Sequence, residues 1–222
     1  MVGGISWVST MDYYKLINQG IHKELGGLQY ATCIIDSINF GELQEKGWPN
    51  AYALLLESCK TLQNSNVDCI VLCANTAHLF VDALQKEIQI PIIDIVLETA
   101  VAVKKQALNS VGLLGTKFTM EEDFFSRKLK QQGIKTIIPK EETTRNYIQE
   151  TLKNELGKGV FNAATKSKYL SIINTMIANG AQGIILACTE IPLFIKQEDV
   201  KVPIFNTTFI HSNAAIKFAL QK

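Results

Sequence analysis

One short pattern is written twice in this chain. Asn66-Val67-Asp68-Cys69-Ile70-Val71-Leu72-Cys73-Ala74-Asn75 aligns without a gap on Ala181-Gln182-Gly183-Ile184-Ile185-Leu186-Ala187-Cys188-Thr189-Glu190. Apolar run falls on apolar run, and Cys73 falls on Cys188. Downstream, Ile90-Pro91-Ile92-Ile93-Asp94 matches Val202-Pro203-Ile204-Phe205-Asn206. Upstream, Gly4 lies 69 residues before Cys73 and Gly115 lies 73 residues before Cys188. Landmarks recurring in one order at near-equal spacing indicate a duplicated structural unit. Within each copy, short β-branched runs alternate with longer amphipathic segments, which implies parallel strands covered by helices on both faces. The expected fold is therefore α/β, with two pseudo-symmetric lobes, each a parallel sheet flanked by helices, and a boundary near residue 98. No low-complexity linker separates the halves, so the active site is expected in a cleft between them.

The local signals fill in this plan. Ala31 to Ile35 reads as a buried strand, as do Cys69–Leu72, Ile90–Ile93, Val111–Leu114, Lys135–Ile138, Ile184–Leu186 and Val202–Phe205. Ser9-Thr10 is suited to cap a helix that buries Tyr14, Ile17 and Ile21 and stops at Gly26-Gly27. Pro49 suits the first turn of a helix reaching about Gln63. Further helices are expected over about 77–88, 119–132, 142–156, 165–179 and 209–220.

Composition excludes several classes of function. Lysine and arginine (22) nearly cancel aspartate and glutamate (21), which leaves no electrostatic footprint for nucleic acid or an anionic membrane. The most apolar stretch, Ile90 to Val103, is interrupted by Pro91, Asp94 and Glu98, so no membrane span is expected. No secretory signal opens the sequence. Five cysteines (33, 59, 69, 73, 188) form no CxxC pair, and their odd number argues against a disulfide framework. Free thiols in a reducing cytoplasm follow. Cys33, Cys59 and Cys69 are assigned to structure.

Cys73 and Cys188 differ from the other three in their setting. Each stands at the carboxyl end of a predicted strand, where ligands gather in parallel α/β sheets. Each is followed by a polar turn, Ala74-Asn75-Thr76 or Thr189-Glu190, whose backbone amides favour anions. The same field is expected to draw a thiol pKa down from about 8.5 toward the working pH. Two similar thiols, one charged and one neutral, suit the inversion of a stereocentre. One takes a proton from one face and the other returns a proton to the opposite face. Fixed donors around a substrate carboxylate would hold the charge of the carbanion.

These residues resemble the aspartate/glutamate racemase family, in particular its amino-acid racemases of the aspartate type. The likeness runs along nearly the whole chain. It rests on Gly3-Gly4-Ile5-Ser6-Trp7 with Ser9-Thr10, Cys73-Ala74-Asn75-Thr76-Ala77-His78, Gly112-Leu113-Leu114-Gly115-Thr116 with Phe118-Thr119-Met120, and Cys188-Thr189-Glu190. The resemblance implies a homodimer acting on a small amino acid, with no pyridoxal phosphate, metal or nucleotide. It also implies that the last helix crosses back, giving lobes 1–98 with 209–222, and 99–208. By the same likeness, Asn75, Thr76, Thr116 and Thr189 are donors to the substrate α-carboxylate, and Ser6 and Trp7 line the pocket. Lys158 either faces the substrate side chain or is a solvated lysine after a helix end. Glu190 either polarises the surroundings of Cys188 or caps the following turn. His78 and His211 are supporting or structural residues, because a two-thiol mechanism needs no third base. Asn206 stands where relatives often carry aspartate. Relatives also begin with a longer first strand than Met1-Val2, and its loss would expose apolar surface and unpaired backbone on both neighbours.

Other activities occur on this fold: maleate isomerisation, hydantoin racemisation and, with a single cysteine, malonate decarboxylation. Two thiols disfavour the last. Glutamate and broad-specificity racemases are the near rivals, and a non-catalytic amino-acid-binding protein is the alternative from another class.

Overall fold

The computed structural model describes residues 1–221. They divide into two compact units, one formed by Met1–Ile95 and the chain from Thr208 onward, the other by Val96–Thr207.

The first unit carries four short parallel strands: β1 (Val2–Gly3), β2 (Asp36–Ser37), β3 (Ile70–Val71) and β4 (Ile92–Ile93). β1 pairs with β2, β3 pairs with β4, and a parallel bridge between Val2 and Leu72 joins the two pairs. The order across the sheet is β2-β1-β3-β4. The second unit repeats it with longer strands: β5 (Ser110–Gly115), β6 (Lys135–Ile137), β7 (Ile184–Ala187) and β8 (Ile204–Asn206) run β6-β5-β7-β8, all parallel. In each unit the second strand of the sequence lies outside the first, and the third and fourth follow on the other side. The duplication read from the residues is thus a duplication of topology.

Period-two alternation explains why the run around β3 is apolar throughout. Ile70 and Leu72 enter a core built on Leu55, Cys59 and Leu62 of the helix Tyr52–Asn64, with Leu84 from the helix Val81–Glu87. Val71 and Cys73 enter a second core against Tyr13, Ile17 and Ile21 of the helix Trp7–Leu25 and Ile216 of the helix Thr207–Leu220. A strand covered on both faces has no side to leave polar. In the second unit, Leu114, Ile184 and Leu186 pack with Ile148, Tyr169, Ile173 and Phe194. The buried Tyr169 hydroxyl is satisfied by Thr151 Oγ1 at 3.0 Å and the Ile148 carbonyl at 3.3 Å.

Several local expectations need correction. Ala31 to Ile35 is not a buried strand. The strand is Asp36–Ser37, and Ile34 and Ile35 are 43% and 38% exposed. The segment lies at the sheet edge beside a two-residue neighbour, so little of it finds a ladder partner. The first long helix is capped by Ser6, whose Oγ accepts from Ser9 N, and it buries Tyr13 instead of Tyr14, which is 42% exposed. With Tyr13, Ile17 and Ile21 the inward spacing is i, i+4, i+8, and Tyr14 is turned one residue round the helix. The helix expected over 119–132 is two, Lys117–Glu121 and Asp123–Gln131, because Glu122 is extended (ψ 149°). The helices Phe40–Lys46 and Ile95–Lys105 were not foreseen. β1 is short, as its sequence implied, yet both its neighbours pair with it. Val2 is fully buried, and the Met1 ammonium donates to the Ile34 carbonyl at 2.7 Å.

Candidate active site

Strand register brings the first set of residues together. The Cys73 amide donates to the Val2 carbonyl at 2.9 Å, which sets Gly3-Gly4 beside the cysteine. Gly4 has φ +84°, and a Cβ there would lie 2.1 Å from the Ile38 carbonyl oxygen. A Cβ on Gly3 would meet Thr10 Cγ2 at 2.5 Å. Only glycine fits at these two positions. Thr10 Oγ1 accepts from the Gly4 amide (3.0 Å) and donates to the Ser6 carbonyl (2.9 Å), which ties the turn to that helix. Ser9 Oγ donates to the Cys73 carbonyl at 2.7 Å in a buried contact. Sequence reasoning took Ser9-Thr10 for a capping pair. The structure uses both hydroxyls to hold the turns around Cys73.

After Cys73 the chain enters a 3-10 turn, Thr76–Phe80, that leads into the helix Val81–Glu87. Asn75 and Thr76 are both buried, and Asn75 Oδ1 has no hydrogen-bond partner among the described residues. A buried amide atom left unsatisfied costs about 1–3 kcal/mol, so this one calls for a water or a ligand as its partner. His78 Nδ1 donates to the Ala74 carbonyl at 3.0 Å and so fixes the turn that follows the thiol. The His78 ring meets the His211 ring edge to face at 5.2 Å. His211 Nε2 lies 2.8 Å from the Ile93 carbonyl, which can only accept, so this nitrogen carries the hydrogen. Nδ1 then accepts from the Tyr13 hydroxyl at 2.9 Å. Burial beside His78 lowers the pKa of His211 to about 3, so the imidazole is neutral. Both histidines are buried and hydrogen-bonded to backbone carbonyls near Cys73. Tyr13 was missed, because nothing in a helical pattern distinguishes it from a core tyrosine.

The second unit repeats the arrangement with different groups. Gly115 pairs with Ala187, which places Thr116 at the strand end next to Cys188. A Cβ on Gly115 would lie 2.7 Å from the Ala187 carbonyl oxygen. Thr116 caps the helix Lys117–Glu121, its Oγ1 accepting from the Thr119 amide at 3.2 Å and lying 3.0 Å from Thr119 Oγ1. Thr207 Oγ1 donates to the Leu186 carbonyl at 3.1 Å. The Cys188 thiol donates to Glu190 Oε2 at 2.9 Å, and Thr189 Oγ1 donates to the same oxygen at 2.8 Å.

Two sequence-derived residues lie outside these hydrogen-bonded clusters. Trp7 is 73% exposed on the first turn of its helix. Lys158 is exposed at the end of a 3-10 turn, Leu156–Lys158, and Gly159 follows in the left-handed region (φ 74°). Ser6 spends its side chain on the helix cap.

The expected lowering of the thiol pKa values does not occur. Burial pushes Cys73 up to about 12, and among the described residues its Sγ finds only the Val71 carbonyl at 3.8 Å. Cys188 is held well above its ordinary value, first by burial and then by the neighbouring Glu190 carboxylate. Desolvation of an anion outweighs the partial charges of two short turns. Among the described residues no group of histidine, cysteine, aspartate and glutamate is placed to hold a metal, and no helix is long and apolar enough to cross a membrane.

Comparison with known proteins places this geometry in a family. A candidate Asp/Glu racemase of Yersinia pestis is 39% identical, with a TM-score of 0.92 over 99% of this chain and 97% of that one. An aspartate racemase homologue from Pyrococcus horikoshii is 33% identical, with a TM-score of 0.86 over 99% and 97%. A glutamate racemase of Hydrogenobaculum is 30% identical over 165 residues, which is 72% of this chain and 60% of that protein. The chain spans about three fifths of the length of the curated glutamate racemases it matches. The model of the Asp/Glu/Hydantoin racemase family matches residues 2–215, and the chain belongs to that family.

Proposed function

We infer that this protein is a cofactor-independent amino-acid racemase in which Cys73 and Cys188 exchange the Cα proton. The observation that carries the reading is the repeated strand order. Each cysteine closely follows the third strand of its unit and stands beside the glycine turn after the first. Two copies of one turn, each with a thiol in place, suit a reaction whose forward and reverse directions are mirror images. The chemistry requires one sulfur on each face of a single Cα, one as thiolate and one as thiol. A bound α-ammonium would bring positive charge to buried thiols and favour the thiolate that burial alone opposes.

In this reading Asn75, Thr76, Thr116 and Thr189 hold the α-carboxylate. The unsatisfied atom, Asn75 Oδ1, is an acceptor and suits the substrate α-ammonium, while the amide nitrogen of Asn75 is the group that can donate to the carboxylate. Ser6 and Trp7 line the pocket, and Lys158 faces an acidic side chain. The functional lobes are 1–98 with 209–222, and 99–208. The protein works as a homodimer in the cytoplasm. Aspartate is the first-choice substrate, supported by the near-complete match to the Pyrococcus protein. Glutamate is the second reading, favoured by the matches to curated glutamate racemases.

Single-enantiomer aspartate, glutamate and neutral amino acids, each incubated with the protein in heavy water, test the reading. A racemase places deuterium at Cα as optical activity decays. A binding protein does neither, and that result would end the proposal. Replacing Cys73 or Cys188 singly with alanine is expected to abolish racemisation with the circular dichroism spectrum retained.

A further inference from the structure

The two thiols are not equivalent. Cys73 is enclosed by apolar side chains, the Ser9 hydroxyl and the Val2 and Val71 carbonyls, and among the described residues only the Val71 carbonyl oxygen, 3.8 Å away, accepts from its sulfur. Cys188 lies 2.9 Å from a carboxylate oxygen that Thr189 also approaches at 2.8 Å. We propose that Glu190 is the positioning residue of the second thiol and shares one proton with it, so that Cys188 becomes a thiolate by internal transfer and not by loss of a proton to solvent.

The transfer conserves charge. The S–H bond of Cys188 breaks and its electron pair stays on sulfur, while an O–H bond forms on Glu190 Oε2. The pair carries one negative charge before and after. In a desolvated setting this matters, because forming a thiolate by release to water would place two negative charges a hydrogen bond apart. Thr189 tunes the balance. Its hydroxyl donates to the carboxylate oxygen that receives the proton, and so favours the thiol–carboxylate form. Among the described residues Cys73 has no carboxylate acceptor, so in turnover it depends on another group, the substrate ammonium included, to stabilise its thiolate. The use of the dyad in catalysis rests on the two-thiol reading above. Its titration does not.

The test is the pH dependence of iodoacetamide alkylation, followed at the Cys188 peptide of the whole protein by mass spectrometry. A shared proton makes the thiolate fraction independent of pH between the two titrations of the pair, so the wild-type rate should show a flat shelf there before rising. In Glu190→Gln the shelf should vanish and the rate should climb about tenfold per pH unit across that range, as for an isolated thiol. Glu190→Asp should restore a shelf. Thr189→Val should raise the shelf several-fold, because the carboxylate loses a competing donor. Identical profiles in wild type and Glu190→Gln would overturn the proposal, as would a shelf unmoved by Thr189→Val if the glutamine variant fails to fold. If racemisation is measurable, Glu190→Gln should lower kcat by about 10²–10⁴-fold. An intact shelf in a protein with no racemase activity would sink the function and leave the dyad standing.

Discussion

His211 offers the most direct test of the buried network behind Cys73. Its ring is fully buried, donates through Nε2 to the Ile93 carbonyl and accepts at Nδ1 from Tyr13. Its pKa falls from the ordinary 6.5 to about 3, chiefly because burial penalises the imidazolium and secondarily because His78 faces it. Between pH 6.5 and 3 the unfolded chain therefore binds a proton at this residue that the folded protein refuses. Stability rises with pH over that window and is lost as the medium is acidified. At 1.36 kcal/mol per pH unit, the histidine removes about 2 kcal/mol between pH 8 and pH 5. Continued to pH 3 the loss reaches about 5 kcal/mol. The assay is urea denaturation of the wild type and of His211→Gln at pH 8, 6.5 and 5. Glutamine can still donate to the Ile93 carbonyl and does not titrate. The variant is less stable than wild type at pH 8, and the gap should narrow by about 2 kcal/mol at pH 5, since all other groups titrate in both proteins. A gap of the same size at all three pH values would refute the assignment of a neutral, desolvated imidazole.

Three substitutions probe the turns that hold Cys73. Gly4→Ala forces a side chain into φ +84° and against the Ile38 carbonyl oxygen, and should destabilise by at least ~2 kcal/mol in thermal or urea unfolding. Gly26→Ala, also at positive φ but in open space, is the control and should cost less. Ser9→Ala leaves the buried Cys73 carbonyl without its hydroxyl donor, and should cost about 1–3 kcal/mol. If the racemase reading holds, it should also lower kcat more than it raises KM, since it shifts the thiol and not the groups proposed to bind the carboxylate. Thr10→Ser keeps the two hydrogen bonds that tie Gly4 and Ser6, and should be close to neutral in activity.

The topology was legible in the residues because duplication is a pattern of spacing, and spacing survives when individual contacts do not. The gapless match of 66–75 on 181–190 predicted two copies of one unit, and both copies share the same strand order. What escaped the sequence is mostly a matter of which neighbour a segment meets. Ala31 to Ile35 has the composition of a core strand, but an edge position gives it one partner where a central strand has two. Tyr13 and Tyr14 are adjacent and chemically identical, and only the rotational setting of the helix decides which becomes the hydrogen-bond donor to His211. The thiol pKa values went against expectation for a related reason. A turn of free amides can be read from a sequence, whereas the depth at which it is buried cannot. For Cys73 depth wins, and the thiol rises to about 12. For Cys188 a residue two positions on supplies a carboxylate where its counterpart has only a neutral amide, because position 75 is asparagine and position 190 is glutamate. A single difference between otherwise matching turns thus gives one half of the repeat an internal proton acceptor and the other a neutral amide suited to binding. If the racemase reading holds, that difference lets a duplicated site treat two mirror-image substrates with groups that are not themselves mirror images.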